Sequence, residues 1–216
     1  MLQDKPWRPW QVVALELTAE MNAERVVELS KELICALDQE KLDGRRQRPD
    51  RDTNLEPTTT NPQSDYENVI DKAVNVMRSD YASLQMLFPK RGSGGELWLL
   101  AFRGFNPQAA QFWEWVRADS KSTCGIALLG KQRVVAPDIA ACDYMAGSED
   151  RQVYLQTGIR ACQTTPLIGR SGVVVGMIST HWRVPHTPSE KDLRLFDALA
   201  TEAAGLIERY RPANET

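Results

Sequence analysis

The stretch ACQTTPLIGRSGVVVGMISTHW, residues 161 to 182, constrains the fold more than any other. It holds two apolar runs separated by Gly-Arg-Ser-Gly, a pattern that predicts two strong strands joined by a tight turn. A second pair precedes it. YASLQMLF alternates, meets the turn-rich PKRGSGG, and continues as ELWLLAFRG, which predicts another hairpin. QRVVAP adds a short strand. Around these lie helical patterns. YENVIDKAVNVMRSD brings Val69, Ala73, Val76 and Met77 to one face. TPSEKDLRLFDALATEAAGLIERYR opens on a capping signature, Thr187 or Ser189 with Glu190 following, and runs as a long amphipathic helix. NPQAAQFWEWVR reads as helix with Pro107 in its first turn, and STCGIALLGK as a short helix capped by Ser122 or Thr123. DIAACDYMAGSED reads as loop, and DRQVYLQTG as a helix ending at Gly158. The order is helix, two strands, helices, strand, helix, two strands, helix. That order implies an α+β fold: a central antiparallel sheet with its terminal helices on one face.

Two segments precede this unit. Residues 10 to 40 carry an apolar stripe at spacings of three and four, through Val26, Val27, Leu29, Leu33, Ile34 and Leu37. A helical stripe of that length packs on something, and a partner subunit or the following domain is the natural surface. Residues 41 to 65 hold three prolines and almost no large apolar side chains, the composition of a linker or unstructured loop. The expected plan is a helical extension at 1–40, a polar linker at 41–65, a domain at 66–210 and a tail at 211–216.

Composition narrows the class of function. A formal net charge of -3 offers no basic footprint for nucleic acid. The longest apolar runs fall far short of the roughly 20 residues that cross a bilayer. The N-terminus MLQDKPWRPW has no apolar signal core, so a cytoplasmic protein is expected. Cys35, Cys124, Cys142 and Cys162 form no CxxC pair, and only His181 and His186 are available to join them, so a structural zinc site is not expected. Free thiols suit a reducing cytosol. A buried cysteine ordinarily behaves as a small hydrophobe. At the first turn of a helix, however, Cys124 would meet unpaired backbone N–H groups, which lower a thiol pKa.

The words STCGIALLGKQRVVAPDI, GIRACQTTPLIGRSGVVVGMISTHW and PHTPSEKDLRLFDALATEAAGLIER, in that order, resemble the GAF domain of bacterial signalling proteins. The likeness runs from about Tyr66 to Arg209. It implies a PAS-related sheet of about five or six strands, terminal helices on one face, and a small-molecule pocket on the other. The pocket would be walled by residues 107 to 157 and floored by the sheet. Its lining is expected to include Trp113, Cys124, Tyr144, Tyr154, Gln163, Thr165, Ser179 and His181. Thr164 and Thr180 belong to the same strands, and strand alternation sends half of each hydroxyl set to the other face. The resemblance further implies a homodimer paired through terminal helices and a signalling partner such as a histidine kinase. It names no ligand and no cofactor.

Three chemistries known on this fold can be set against the residues. The free methionine-(R)-sulfoxide reductases use thiols on the corresponding helix start and following loop, where Cys124 and Cys142 stand here. This chain lacks their preceding cysteine, and VGMISTHW stands where they carry an acidic residue, so a thiol reductase is the alternative reading. The haem-binding relatives draw their ligand from the segment that here reads YLQTGIRA, without histidine. The attachment motifs of bilin-binding relatives and the NKFDE-type set of cyclic-nucleotide binders are absent. A non-catalytic sensor is the reading that remains, with a purely structural dimerisation module as a third.

Overall fold

The computed structural model describes residues 61–211. The helical segment expected at 10–40, Trp7, Trp10, Cys35 and the tail from 212 lie outside the described residues. The first helix, α1, spans Pro62–Met77 and so begins inside the stretch expected to be linker. Proline suits a first helical turn, Asp65 lies in that turn, and Gln63 and Tyr66 are buried, which ties the extra turn to the domain. The remaining elements are β1 (Tyr81–Phe88), β2 (Glu96–Arg103), α2 (Pro107–Phe112), β3 (Trp115–Arg117), α3 (Thr123–Gly130), β4 (Val134–Ala136), α4 (Glu149–Gln156), β5 (Ala161–Ile168), β6 (Val174–Trp182) and α5 (Glu190–Tyr210). Two short 3-10 turns, Ile139–Ala141 and Asp143–Met145, shape the segment expected as loop.

The strands form one six-stranded sheet in the order β3-β2-β1-β6-β5-β4, antiparallel throughout. Period-2 alternation divides its side chains between two faces. Ala82, Leu84, Met86 and Phe88 of β1, with Ile178 and Trp182 of β6, join the core beneath α1 and α5. Those two helices contribute Val69, Ile70, Ala73, Phe196, Ala203 and Ile207 to the same core. Each large aliphatic or aromatic side chain buried this way contributes about 1.5–3 kcal/mol. The helices are also pinned to each other: Tyr210 donates to Asp65 Oδ2 at 2.7 Å, and its ring meets Tyr66 edge-on at 5.9 Å. Trp98 and Trp182 both lie in this core. Ser189, one of the two capping residues expected for α5, is its N-cap and accepts from the Asp192 N–H.

One element departs from expectation. NPQAAQFWEWVR is not a single helix; α2 stops at Phe112, Trp113 closes it, and Trp115–Arg117 becomes the edge strand β3. Pairing with β2, through Leu97↔Val116 and Trp98↔Trp115, recruits this segment into the sheet. The two tryptophans consequently serve different places. Trp115 stacks on Trp98 at 6.0 Å and lies under the Arg91 guanidinium at 3.8 Å, while Trp113 turns to the other face of the sheet.

The centre of the sheet tolerates no extra volume at Gly176. A Cβ there would stand 2.2 Å from the Gln85 carbonyl oxygen of β1 and 2.8 Å from Ile207 Cδ1 of α5. Gly205, on α5, faces open space instead: a Cβ placed there would meet nothing within 4 Å among the described residues. Gly176→Ala is therefore expected to destabilise by about 2–3 kcal/mol through overpacking, and Gly205→Ala to stabilise by about 0.5–1 kcal/mol through helix propensity. Urea unfolding monitored by circular dichroism checks both signs.

Candidate functional site

On the sheet face opposite α1 and α5, polar side chains collect under the N-terminus of α3. Ser122 caps that helix by accepting from the Gly125 N–H at 3.1 Å, and Gly125 is needed because a Cβ would meet the Ser120 carbonyl at 2.4 Å. The next residue after the cap, Thr123, drops its hydroxyl onto β5. It shares hydrogen bonds with Thr164 at 2.8 Å, the Cys162 thiol at 3.1 Å and the Tyr154 hydroxyl of α4 at 3.3 Å. Thr164 passes the chain to Ser179 of β6 at 2.8 Å, and the Cys124 thiol lies 3.5 Å from the same Ser179 hydroxyl. A ladder of hydroxyls and thiols thus crosses from α4 through α3 and β5 to β6, and it contains no charged group.

Beside the ladder stands an aromatic box. Trp113 packs on Tyr154 at 4.6 Å and on Phe105 at 5.2 Å. The His181 ring closes the box, 5.5 Å from Phe105 and 5.9 Å from Tyr154. His181 is only 2% exposed, and neither of its ring nitrogens has a hydrogen-bond partner among the described residues. Gln85, also buried on this face, donates to the Trp113 carbonyl at 3.4 Å and leaves its own Oε1 unpartnered among the described residues. Unpaired buried polar atoms are uncommon in folded proteins, and each points to strain or to a use.

Burial governs the titration of every group here. It pushes the Cys124 thiol up, against weaker hydrogen bonds from Ser179 and Thr164. It takes Cys162 to about 12, with Cys124 adding to the rise, and it raises the Tyr154 phenol well above its ordinary value. The His181 imidazole falls to about 3 for the same reason. The low thiol pKa that a helix start alone would give Cys124 is thus overturned: the helix is short, the sulfur is dry, and Lys121 is exposed to water. Both buried cysteines are neutral thiols at physiological pH.

Of the eight side chains expected to line the pocket, Trp113, Cys124, Tyr154, Ser179 and His181 come together in this box and ladder. Tyr144 sits part-exposed on the turn Asp143–Met145, at the edge of the ladder, with its phenol raised by burial first, then by Cys142, and further by the buried Cys162 and Cys124 thiols. Gln163 and Thr165 lie on the opposite face. Thr165 donates to Gln163 Oε1 at 2.9 Å, Gln163 donates to Thr180 at 3.3 Å, and Arg133 links Thr165 to Asp197 of α5. Strand parity is the reason: Cys162 and Thr164 project to one side of β5, so Gln163 and Thr165 project to the other. Cys162, Thr123, Phe105 and Gln85 are partners that sequence reasoning missed. Parity from Ser179 and His181, carried across the β5–β6 register, was the signal for Cys162, which pairs with His181. Just before β5, Arg160 forms an ion pair with Asp138 at 3.0 Å. His186 packs its ring on Trp182 at 4.4 Å. Among the described residues no three His, Cys, Asp or Glu side chains converge as a metal site, and no helix is long and apolar enough to cross a membrane.

This architecture has relatives. Residues 59–208 match the family model described as GAF domain, and the chain belongs to that family. The GAF domain/HD domain protein from Geobacter sulfurreducens superposes with a TM-score of 0.57 at 12% identity, covering 73% of this chain and 99% of that one. The GAF domain of a two-component sensor histidine kinase from Bacillus halodurans gives 0.53 at 16% identity, over 68% and 92%. Free methionine-R-sulfoxide reductase from Neisseria meningitidis, solved in complex with its substrate, gives 0.50 at 20% identity, over 69% and 81%. At these identities the likeness is one of fold, which hosts both sensing and catalytic proteins. No curated protein matches the chain.

Because the folded protein holds His181 neutral, acid weakens it. Above pH 6.5 the imidazole is neutral in both states and its contribution is complete. As pH falls from 6.5 toward 3, the unfolded chain takes up a proton that the fold excludes, and stability is lost. The loss between about pH 6.5 and pH 5 is expected to be about 2 kcal/mol. His181→Phe should remove it, as urea unfolding of both proteins at about pH 7 and pH 5 will register.

Proposed function

We propose that the chain is a small-molecule sensor: its GAF domain binds an uncharged or weakly polar ligand beside His181 and does no chemistry on it. The observation that carries this reading is the His181 ring itself, buried with both nitrogens unpartnered among the described residues. A neutral imidazole presents one N–H donor and one acceptor, so an occupant with a complementary acceptor and donor would satisfy both. The aromatic walls supply apolar contact, and the hydroxyl ladder supplies a few polar ones, the mixture typical of small-ligand sites. Rings 4.6 to 5.9 Å apart pack on one another, so the occupant would sit beside them rather than between them. Nucleophilic chemistry finds less support, because burial holds Cys124 and Cys162 as thiols while a nucleophile must be thiolate.

Native mass spectrometry of the purified full-length protein tests the reading. A small molecule is expected to co-purify with wild type and to fall at least tenfold in occupancy in His181→Phe, which keeps the ring and loses both nitrogens. Sustained turnover of free methionine-(R)-sulfoxide with a thioredoxin system would favour the reductase instead.

The signal would leave through the terminal helices. Residues 10 to 40 offer an apolar stripe, and α5 carries Leu195 on its exposed side. We assign these surfaces to a cytoplasmic homodimer that works with a signalling partner such as a histidine kinase, the company in which the Bacillus halodurans domain is found. Deleting residues 1 to 40 is then expected to convert a dimer into a monomer in analytical ultracentrifugation; a dimer that persists would move the interface elsewhere.

A further inference from the structure

A half-open cleft of about 370 Å³ is lined by the end of α2, by β3 and by the start of α4, and it shares only Trp113 with the His181 box and the hydroxyl ladder. Part of its wall is aromatic. The Phe112 and Trp113 rings meet edge-on at 5.7 Å with their planes 79° apart, so together they form a corner. Another part is acidic, because Glu149 and Asp150 of the first turn of α4 line the same cleft.

Asp150 is placed unusually for a carboxylate. It is only 9% exposed, and among the described residues no Lys, Arg or His side chain pairs with it. Nor does it cap α4, a task met by Ser148, which accepts from the Arg151 N–H at 3.2 Å. The Trp113 indole N–H lies beside the carboxyl but has no hydrogen-bond partner among the described residues. Burial raises the Asp150 carboxyl above its ordinary value, the indole offsets part of that rise, and Glu149 adds to it. Among the described residues the cation lining this cleft is Arg117, and its guanidinium already donates two hydrogen bonds to Asp119. Arg117 therefore compensates neither Asp150 nor Glu149. A buried carboxylate without a counter-charge is unfavourable, and a cation seated against it relieves the penalty.

We propose that this cleft binds a small, free methylated ammonium ion, its charge against Asp150 and its methyl groups on the corner formed by Phe112 and Trp113. Ring faces attract a cation and accept methyl contact, yet they offer no lone pairs to replace the water around a primary ammonium. A bare metal ion is poorly served, because among the described residues no three carboxylate, thiol or imidazole side chains converge. An anion meets two carboxylates. The site goes beyond the His181 reading and does not rest on it.

The test is isothermal titration calorimetry of the full-length protein with choline at constant ionic strength. Two controls accompany it: the neutral carbon isostere, in which a tert-butyl group replaces trimethylammonium, and ethanolamine. Expected are one choline per chain, about tenfold or more weaker binding of the neutral isostere, and weaker binding of ethanolamine. Asp150→Asn keeps the side chain's shape and should weaken choline by about tenfold or more. Phe112→Leu keeps apolar contact, loses the ring face and should weaken it by about threefold or more. His181→Phe should leave choline binding unchanged. The two control ligands use the unmodified protein, so their comparison decides the matter even where a variant fails to fold. The proposal is overturned by absent choline binding, by either control binding as well as choline, or by Asp150→Asn binding choline as wild type does. Binding to phosphatidylcholine vesicles without binding of free choline would also overturn it.

Discussion

Strand β6 is buried along its whole length, and both of its hydrogen-bonding edges are occupied, by β1 on one side and β5 on the other. A strand covered on both faces has no solvent side, so every residue it carries must be satisfied by packing or by a partner. Ile178 and Trp182 meet that demand in the core under the terminal helices. Ser179, pointing the other way, meets it through Thr164 of β5 and Cys124 of α3, and the His181 ring packs on Phe105 and Tyr154. The site exists because two polar residues were placed on a strand with no access to water. Gly176 belongs to the same constraint, since β1 and α5 both press against its bare Cα.

That placement decides the chemistry. Two effects compete at Cys124: the positive end of a short helix, which favours thiolate, and transfer from water to a dry interior, which opposes it. Helix-end effects are worth about 0.3–1 kcal/mol at exposed sites and up to ~2 in partly buried ones, whereas full burial can move a titratable group by several pKa units. Burial prevails. The result is a set of neutral donors and acceptors, hydroxyl, thiol and imidazole, arranged beside aromatic rings. Such a surface offers shape and a hydrogen-bonding pattern rather than charge.

Much of the fold was legible along the chain. The two hairpins, the order of helices and strands, Pro107 in the first turn of α2 and the caps at Ser122 and Ser189 rest on local signals: period-2 runs, glycine-rich turns and side chains that bond their own backbone. The family likeness pointed to the sheet face opposite the terminal helices, where the geometry gathers Trp113, Cys124, Tyr154, Ser179 and His181. What local pattern misjudged was FWEWVR. Its residues suit a helix, but edge pairing with β2 drew Trp115–Arg117 into the sheet.

Sequence by itself determined which segments become strands and helices, because those choices depend on neighbours a few positions away. Only the tertiary structure decided which half of each strand faces the His181 box, separating Thr164 from Gln163 and Thr165. A side chain's face follows from strand register, and register is set by contacts between residues distant in the chain. The same holds for the protonation of the thiols and the imidazole. Their pKa values depend on how completely the assembled sheet and helices exclude water, a property that no single stretch of residues possesses.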